Sequence, residues 1–139
     1  MKISDISAKA VLLGLLTDIV GSICVGFGLA IILGIMAAAS GDLSPAHIEA
    51  LRQNFFLRLS GLIGTTFFTA LGGYVAARIA KETPLANSFA VGILSLVLAI
   101  TLAASSAGVS PLWKVISGCI ATIPAALLGG HFAANPHEI

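Results

Sequence analysis

Residues 10–38 read AVLLGLLTDIVGSICVGFGLAIILGIMAA, and this stretch decides the fold. Every fourth residue (Gly14, Asp18, Ser22, Gly26, Ala30, Gly34, Ala38) is small, apart from one carboxylate, and the positions between are mostly Leu, Ile and Val. An apolar run of that length with a small-residue ridge is a transmembrane helix, built so that another backbone can approach closely. Asp18 is therefore expected inside a helix contact.

Composition extends the reading to the whole chain. The 139 residues are 58% hydrophobic and 9% charged, with mean hydropathy +1.06. That is more apolar surface than a soluble domain of this size can bury, so lipid must serve as solvent. Peptide groups find no water in hydrocarbon, and the period is helical with abundant Ala and Gly, so the spans are helices and not barrel strands. Four are expected, at residues 10–38, 59–80, 87–104 and 112–134, in one domain and one four-helix bundle. Ala37-Ala38-Ala39 could mimic a signal-peptide cleavage site. The apolar run before it is about twice a normal h-region and contains Asp18, which favours a retained span.

The sizeable extramembrane element is residues 40–58. Ser44-Pro45 reads as an N-cap and first helical residue. Around it, Leu43, Ile48, Leu51, Phe55 and Phe56 form an apolar side opposed by His47, Glu49, Arg52 and Arg58. Two readings fit, an amphipathic segment at the interface or the protruding end of a long second span.

The second and fourth spans share a pattern. Ser60–Ala77 laid without gaps on Ser117–Ala134 matches at half of its positions, ending Leu-Gly-Gly-x-x-Ala-Ala in both. Two helical hairpins repeated in parallel are expected, related by an axis along the membrane normal. Each copy carries its own ridge, Gly61, Thr65, Thr69, Gly73, Ala77 and Gly118, Thr122, Ala126, Gly130, Ala134. Gly14, Ser22, Gly26, Gly34, Gly61, Gly73, Gly118 and Gly130 are thus the expected packing positions.

With four spans the termini share a side with Lys2, Lys9, Arg78 and Lys81, against Arg52, Arg58 and Lys114 opposite. Arg78 and Lys81 flank a tight turn, where the positive-inside rule applies best, so cytoplasmic termini are expected. Trp113, after Ser110-Pro111, reads as an aromatic anchor at the other interface.

Asp18 lies eight residues past Ala10, roughly 12 Å below the helix entrance. An acid at that depth is costly unless it is protonated or paired, which makes it either a functional group or a neutral hydrogen-bonding one. Tyr74 and His131 occupy the same repeat position near that depth, so the three could form one polar, proton-handling layer, with Arg78 a turn beyond Tyr74 as a further counter-ion. The competing reading makes Tyr74 and His131 interfacial residues with wet tips, and has Arg78 snorkel to lipid phosphate. His137 and Glu138 belong to a tail.

Cys24 and Cys119 lack a second ligand at metal spacing and read as packing residues. Pro124 should kink the fourth span. A catalytic role finds no support in the sequence: there is one intramembrane carboxylate where an aspartyl protease needs two, and no nucleophile element, metal pair or phosphate loop. No cofactor and no nucleic-acid partner are expected.

Gly72-Gly73-Tyr74-Val75-Ala76-Ala77-Arg78-Ile79-Ala80, with Pro84-Leu85-Ala86-Asn87 and Ala90-Val91-Gly92, resembles small four-span bacterial inner-membrane proteins. The resemblance implies a bacterial inner-membrane location and a four-span bundle, and carries no activity with it. Small multidrug transporters share only the layout, four short spans with an acid in the first. The leading expectation is a non-catalytic bundle that packs against itself or another membrane protein; the alternative is a small homo-oligomeric proton-coupled transporter or channel using Asp18. A wet path to Asp18 separates them.

Overall fold

The computed structural model describes residues 6–105 and 112–135, without the side chains of Leu112 and Lys114. Lys2, Ser110-Pro111 and His137-Glu138 lie outside the described residues, as does the Lys114 side chain. Five helices follow in order: α1 (Ala8–Ser40), α2 (Pro45–Arg52), α3 (Phe55–Ile79), α4 (Pro84–Ser105) and α5 (Leu112–Ala134). The chain is an all-α membrane bundle, and α1, α3, α4 and α5 are each long and apolar enough to cross a bilayer. It is a multi-pass membrane protein.

Local chemistry sets the boundaries. The Ser7 hydroxyl caps α1 by accepting from the Ala10 amide, and Gly41 ends the helix at φ 71°, a left-handed conformation that glycine adopts without a steric penalty. Asp42 Oδ1 accepts from the Ser44 amide at 2.8 Å, and Ser44 in turn caps α2. The backbone hydrogen bonds of the Asp42 carboxyl to Ser44, then its side-chain contact there, hold its pKa below the ordinary carboxylate value, helped least by His47.

The segment before the second span is a helix of its own and not the end of a longer one. Gln53 closes α2, and the Asn54 side chain accepts from the Phe56 amide to start α3 afresh at Phe55, four residues before the expected 59.

The four spans alternate in direction, so the N-terminal ends of α1 and α4 share one end of the bundle with the C-terminal ends of α3 and α5. That end is tightly packed. Ala10, Val11 and Gly14 of α1, Ala76 and Ala77 of α3, Asn87, Ser88 and Val91 of α4, and Ala125 and Ala126 of α5 are all buried there. Asn87 ties α1 to α4: its Oδ1 accepts from the Ser7 amide at 2.8 Å while its Nδ2 donates to the Thr83 carbonyl. At the opposite end α1 splays from the other spans, while α3 and α5 stay in contact through Leu62 and Gly118.

The small-residue ridge of α1 divides accordingly. Gly14 is buried against α3, Ser22 is partly buried, and around Gly26, Gly28 and Gly34 nothing lies within 4 Å of where a Cβ would stand. The expectation that Gly26 and Gly34 pack within the bundle is corrected. The reason is length: 33 residues rise about 50 Å, well beyond a hydrocarbon core of about 30 Å, and the outer half of α1 leaves its neighbours. A contact the ridge did not include takes over midway, where the Phe68 ring fills the space a side chain at Gly21 would need.

On the repeated helices the ridge positions Gly61, Gly73 and Gly130 are buried, and Gly118 makes an ordinary contact with Leu62. Glycines paired by the repeat meet different neighbours. Gly72 faces α1 at Gly14, whereas Gly129 faces α3 at Ala70; Gly73 faces α5 at Ala126, whereas Gly130 faces α4 at Ser88. Pro124 is accommodated within a continuous α5 at an exposed position.

Candidate functional site

Asp18 stands where the packed end meets the splayed one. Its residue is 5% exposed, and both carboxylate oxygens are engaged by hydroxyls from other helices. Thr69 Oγ1 of α3 donates to Oδ1 at 2.9 Å, and Ser95 Oγ of α4 donates to Oδ2 at 2.5 Å. One acid thus joins three helices. Charged or neutral, a carboxyl so deep must have such partners, because hydrocarbon offers none.

Below the carboxyl, toward the packed end, the way is closed. A Cβ on Gly72 would lie 3.2 Å from the Asp18 Cβ and 2.6 Å from the Gly14 carbonyl oxygen, so two backbones seal the floor with no room for a side chain. Val91 and Ala76 are fully buried beside them.

Above the carboxyl a cavity of about 750 Å³ opens between the splayed helices. Ile19, Ile23, Leu62, Leu98, Leu102 and Val115 supply apolar walls. Around Asp18 the surface is polar, with Ser22, Thr65, Thr66 and Thr122 joining Thr69 and Ser95. Cys119 also lines it, while Cys24 is exposed on α1. Among the described residues Asp18 is the one charged group in the lining, with no Lys, Arg or His beside it.

The expected Asp18, Tyr74, His131 layer does not form around the cavity, since neither Tyr74 nor His131 lines it. Tyr74 is partly buried with the Arg78 guanidinium 5.9 Å above its ring, and Arg78 itself is exposed. His131 is exposed at the far end of α5, beside Phe132. Asp18 meets α3 at Thr69 and α4 at Ser95, whereas Tyr74 is five residues past Thr69 and His131 adjoins Gly130, which packs on Ser88, so both stand more than a turn toward the packed end from the carboxyl.

Sequence reasoning missed Thr69 and Ser95 as the partners of Asp18. A signal existed, because Ser95 is eight residues past the expected start of its span at 87, as Asp18 is eight past Ala10. Thr69 already belonged to the small-residue ridge of α3. Polar residues at matched depth on small-residue faces were the pairing to look for.

Among the described residues no group of His, Cys, Asp and Glu is arranged to hold a metal ion. Trp113 packs at 5.8 Å against Phe55, joining the N-terminal ends of α3 and α5 at the splayed end. No family model, no curated protein and no solved structure matches this chain.

Proposed function

We propose that this chain is a small transporter of a bacterial inner membrane, proton-coupled and homo-oligomeric, in which a proton and a solute compete for Asp18. One observation carries the reading: the membrane-buried carboxyl lies at one end of a cavity of about 750 Å³ lined by all four spans, with close backbone packing of Gly14 and Gly72 beneath it. A carboxyl can hold a proton or a positively charged or hydrogen-bond-donating solute, but not both at once, and that exclusion is the simplest form of coupling. A cavity that extends from the carboxyl to one side only, with packed backbone on the other, also suits one state of an alternating-access cycle.

Cytoplasmic termini belong to the proposal, supported by the exposed Arg78 and Lys81 at the turn between α3 and α4. The cavity then faces outward. A second copy is supported by the outer half of α1, whose Gly26, Ala30 and Gly34 are exposed and offer a ridge on which a like helix can lie. That same free face favours the second reading, a non-catalytic component that acts by packing against another membrane protein. It leaves the cavity at Asp18 without a purpose.

Purified protein in liposomes with an imposed pH gradient tests the choice. The expected result is proton movement driven by one member of a panel of cations and small metabolites, lost in Asp18→Asn. Absence of wild-type flux across the panel, or flux unchanged by Asp18→Asn, overturns the transporter reading.

A further inference from the structure

We infer that the cavity above Asp18 takes an organic cation bearing N–H donors on an apolar body, a primary ammonium or guanidinium compound. This rests on the reading of Asp18 as a solute site and adds the chemistry of the solute. The argument is an account of hydroxyl protons. Ser95 Oγ donates to Asp18 Oδ2 and Thr69 Oγ1 to Asp18 Oδ1 or the Thr65 carbonyl. Thr65 Oγ1 donates to the carbonyls of Gly61 and Leu62, at 2.9 and 3.1 Å, and Thr122 Oγ1 to that of Gly118 at 2.7 Å. Each hydroxyl has one proton, and these four are committed inside the protein.

What the four oxygens still present to the cavity is lone pairs. With the carboxylate they make a surface that accepts hydrogen bonds and carries one negative charge, and among the described residues no cationic side chain lines it. An anion is repelled there. A neutral acceptor can draw on the Ser22 and Thr66 hydroxyls, which also line the cavity, but leaves the carboxylate charge unanswered, and a bare metal ion can use the carboxylate and hydroxyl oxygens but leaves the apolar walls uncovered. A compact group with several N–H donors and a positive charge satisfies both the charge and the acceptors. The walls of Ile19, Leu62, Leu98, Leu102 and Val115 then cover an apolar body, and about 750 Å³ is within the range of pockets that enclose drug-sized ligands.

Binding of phenethylammonium and of phenyltrimethylammonium to the purified full-length protein in lipid nanodiscs, followed by calorimetry, tests the inference. The two carry the same charge and similar apolar bodies, but the second has no N–H. The primary ammonium is expected to bind at least tenfold tighter, and at least tenfold more weakly to Asp18→Asn. Thr65→Val with Thr122→Val, which keeps shape and Asp18 but removes two acceptors, should weaken it several-fold, so the inference stays testable if Asp18→Asn fails to fold. Equal binding of both cations overturns the role of the acceptors. No binding of either, in a preparation that still shows Asp18-dependent proton flux in liposomes, overturns the solute class while leaving the transport reading intact. Loss of both overturns both.

Discussion

Gly14 and Gly72 lie back to back, each with its carbonyl oxygen in the space where the other's Cβ would stand, at 2.5 and 2.6 Å. This contact brings α1 and α3 together one turn below Asp18 and closes the cavity floor. Any side chain at either position must push the helices apart, and the Asp18 Cβ, 3.2 Å from the same point, moves with them.

Gly72→Ala should therefore destabilise the bundle by about 1–3 kcal/mol through overpacking. Gly73→Leu and Gly130→Leu should do the same, since a Cβ on Gly73 overlaps the Ala126 backbone and one on Gly130 overlaps the Ser88 side chain. Gly26→Leu in monomeric detergent-solubilised protein should change melting little, because nothing surrounds that position. Melting in detergent checks the contacts, and the contrast between Gly72→Ala, against Gly14, and Gly26→Leu checks the division of the α1 ridge into a packed and a free half.

That division marks how far the sequence could be read. Four spans, their order and the burial of Gly14 and Asp18 were legible because lipid solvent and backbone hydrogen bonding impose length and period on each helix. Which half of an overlong ridge finds a neighbour was not, since the ridge looks the same from Gly14 to Ala38 while the other spans reach only part of it. Tyr74 and His131 failed for a related reason. Residue count from an assumed helix start left both more than a turn from the carboxyl, and the angle about the axis is set by packing: Gly72 and Gly129 turn to different helices despite the shared pattern.

If two copies meet along the free half of α1, Ala30→Cys in a Cys24→Ser, Cys119→Ser background should form a disulfide-linked dimer on mild oxidation in membranes. Adding Gly26→Leu should suppress it, because close approach needs a small residue one turn away. A monomer under the same oxidation would show that the ridge faces lipid.

Topology is open to reporter fusions. Fusions after Lys81 and after Ile139 should report the cytoplasm, and one after Asp42 should report the outside. The reverse pattern at Asp42 would invert the protein and turn the cavity inward.

The turn before α2 should loosen in acid. The Asp42 carboxyl is held below its ordinary pKa of about 3.9 by hydrogen bonds from Ser44, so its contribution is present in full above that value and is lost as pH falls through the lower, folded one. Hydrogen exchange at the Ser44 amide should accelerate over that interval beyond the intrinsic dependence on pH. Asp42→Asn should abolish the extra step.

Asp18 itself separates structural from functional need. In Asp18→Asn the amide keeps the shape of the carboxyl, its oxygen can accept from one hydroxyl, and its NH₂ can donate to the other, which turns to accept. Folding should survive with a change of about 1 kcal/mol or less. Asp18→Leu removes both partners, and the two hydroxyls fare differently. Thr69 retains the Thr65 carbonyl at 3.1 Å, whereas Ser95, which donates to Asp18, loses its acceptor in a buried position. A cost of about 1–3 kcal/mol should follow from that one group, and Ser95→Ala in the Asp18→Leu background should recover part of it. Neither Asn nor Leu can exchange a proton, so a transport role predicts that both lose pH-driven flux, although only Leu loses stability. Flux that tracked melting across the two variants would make Asp18 a structural group and remove the basis for the transport reading.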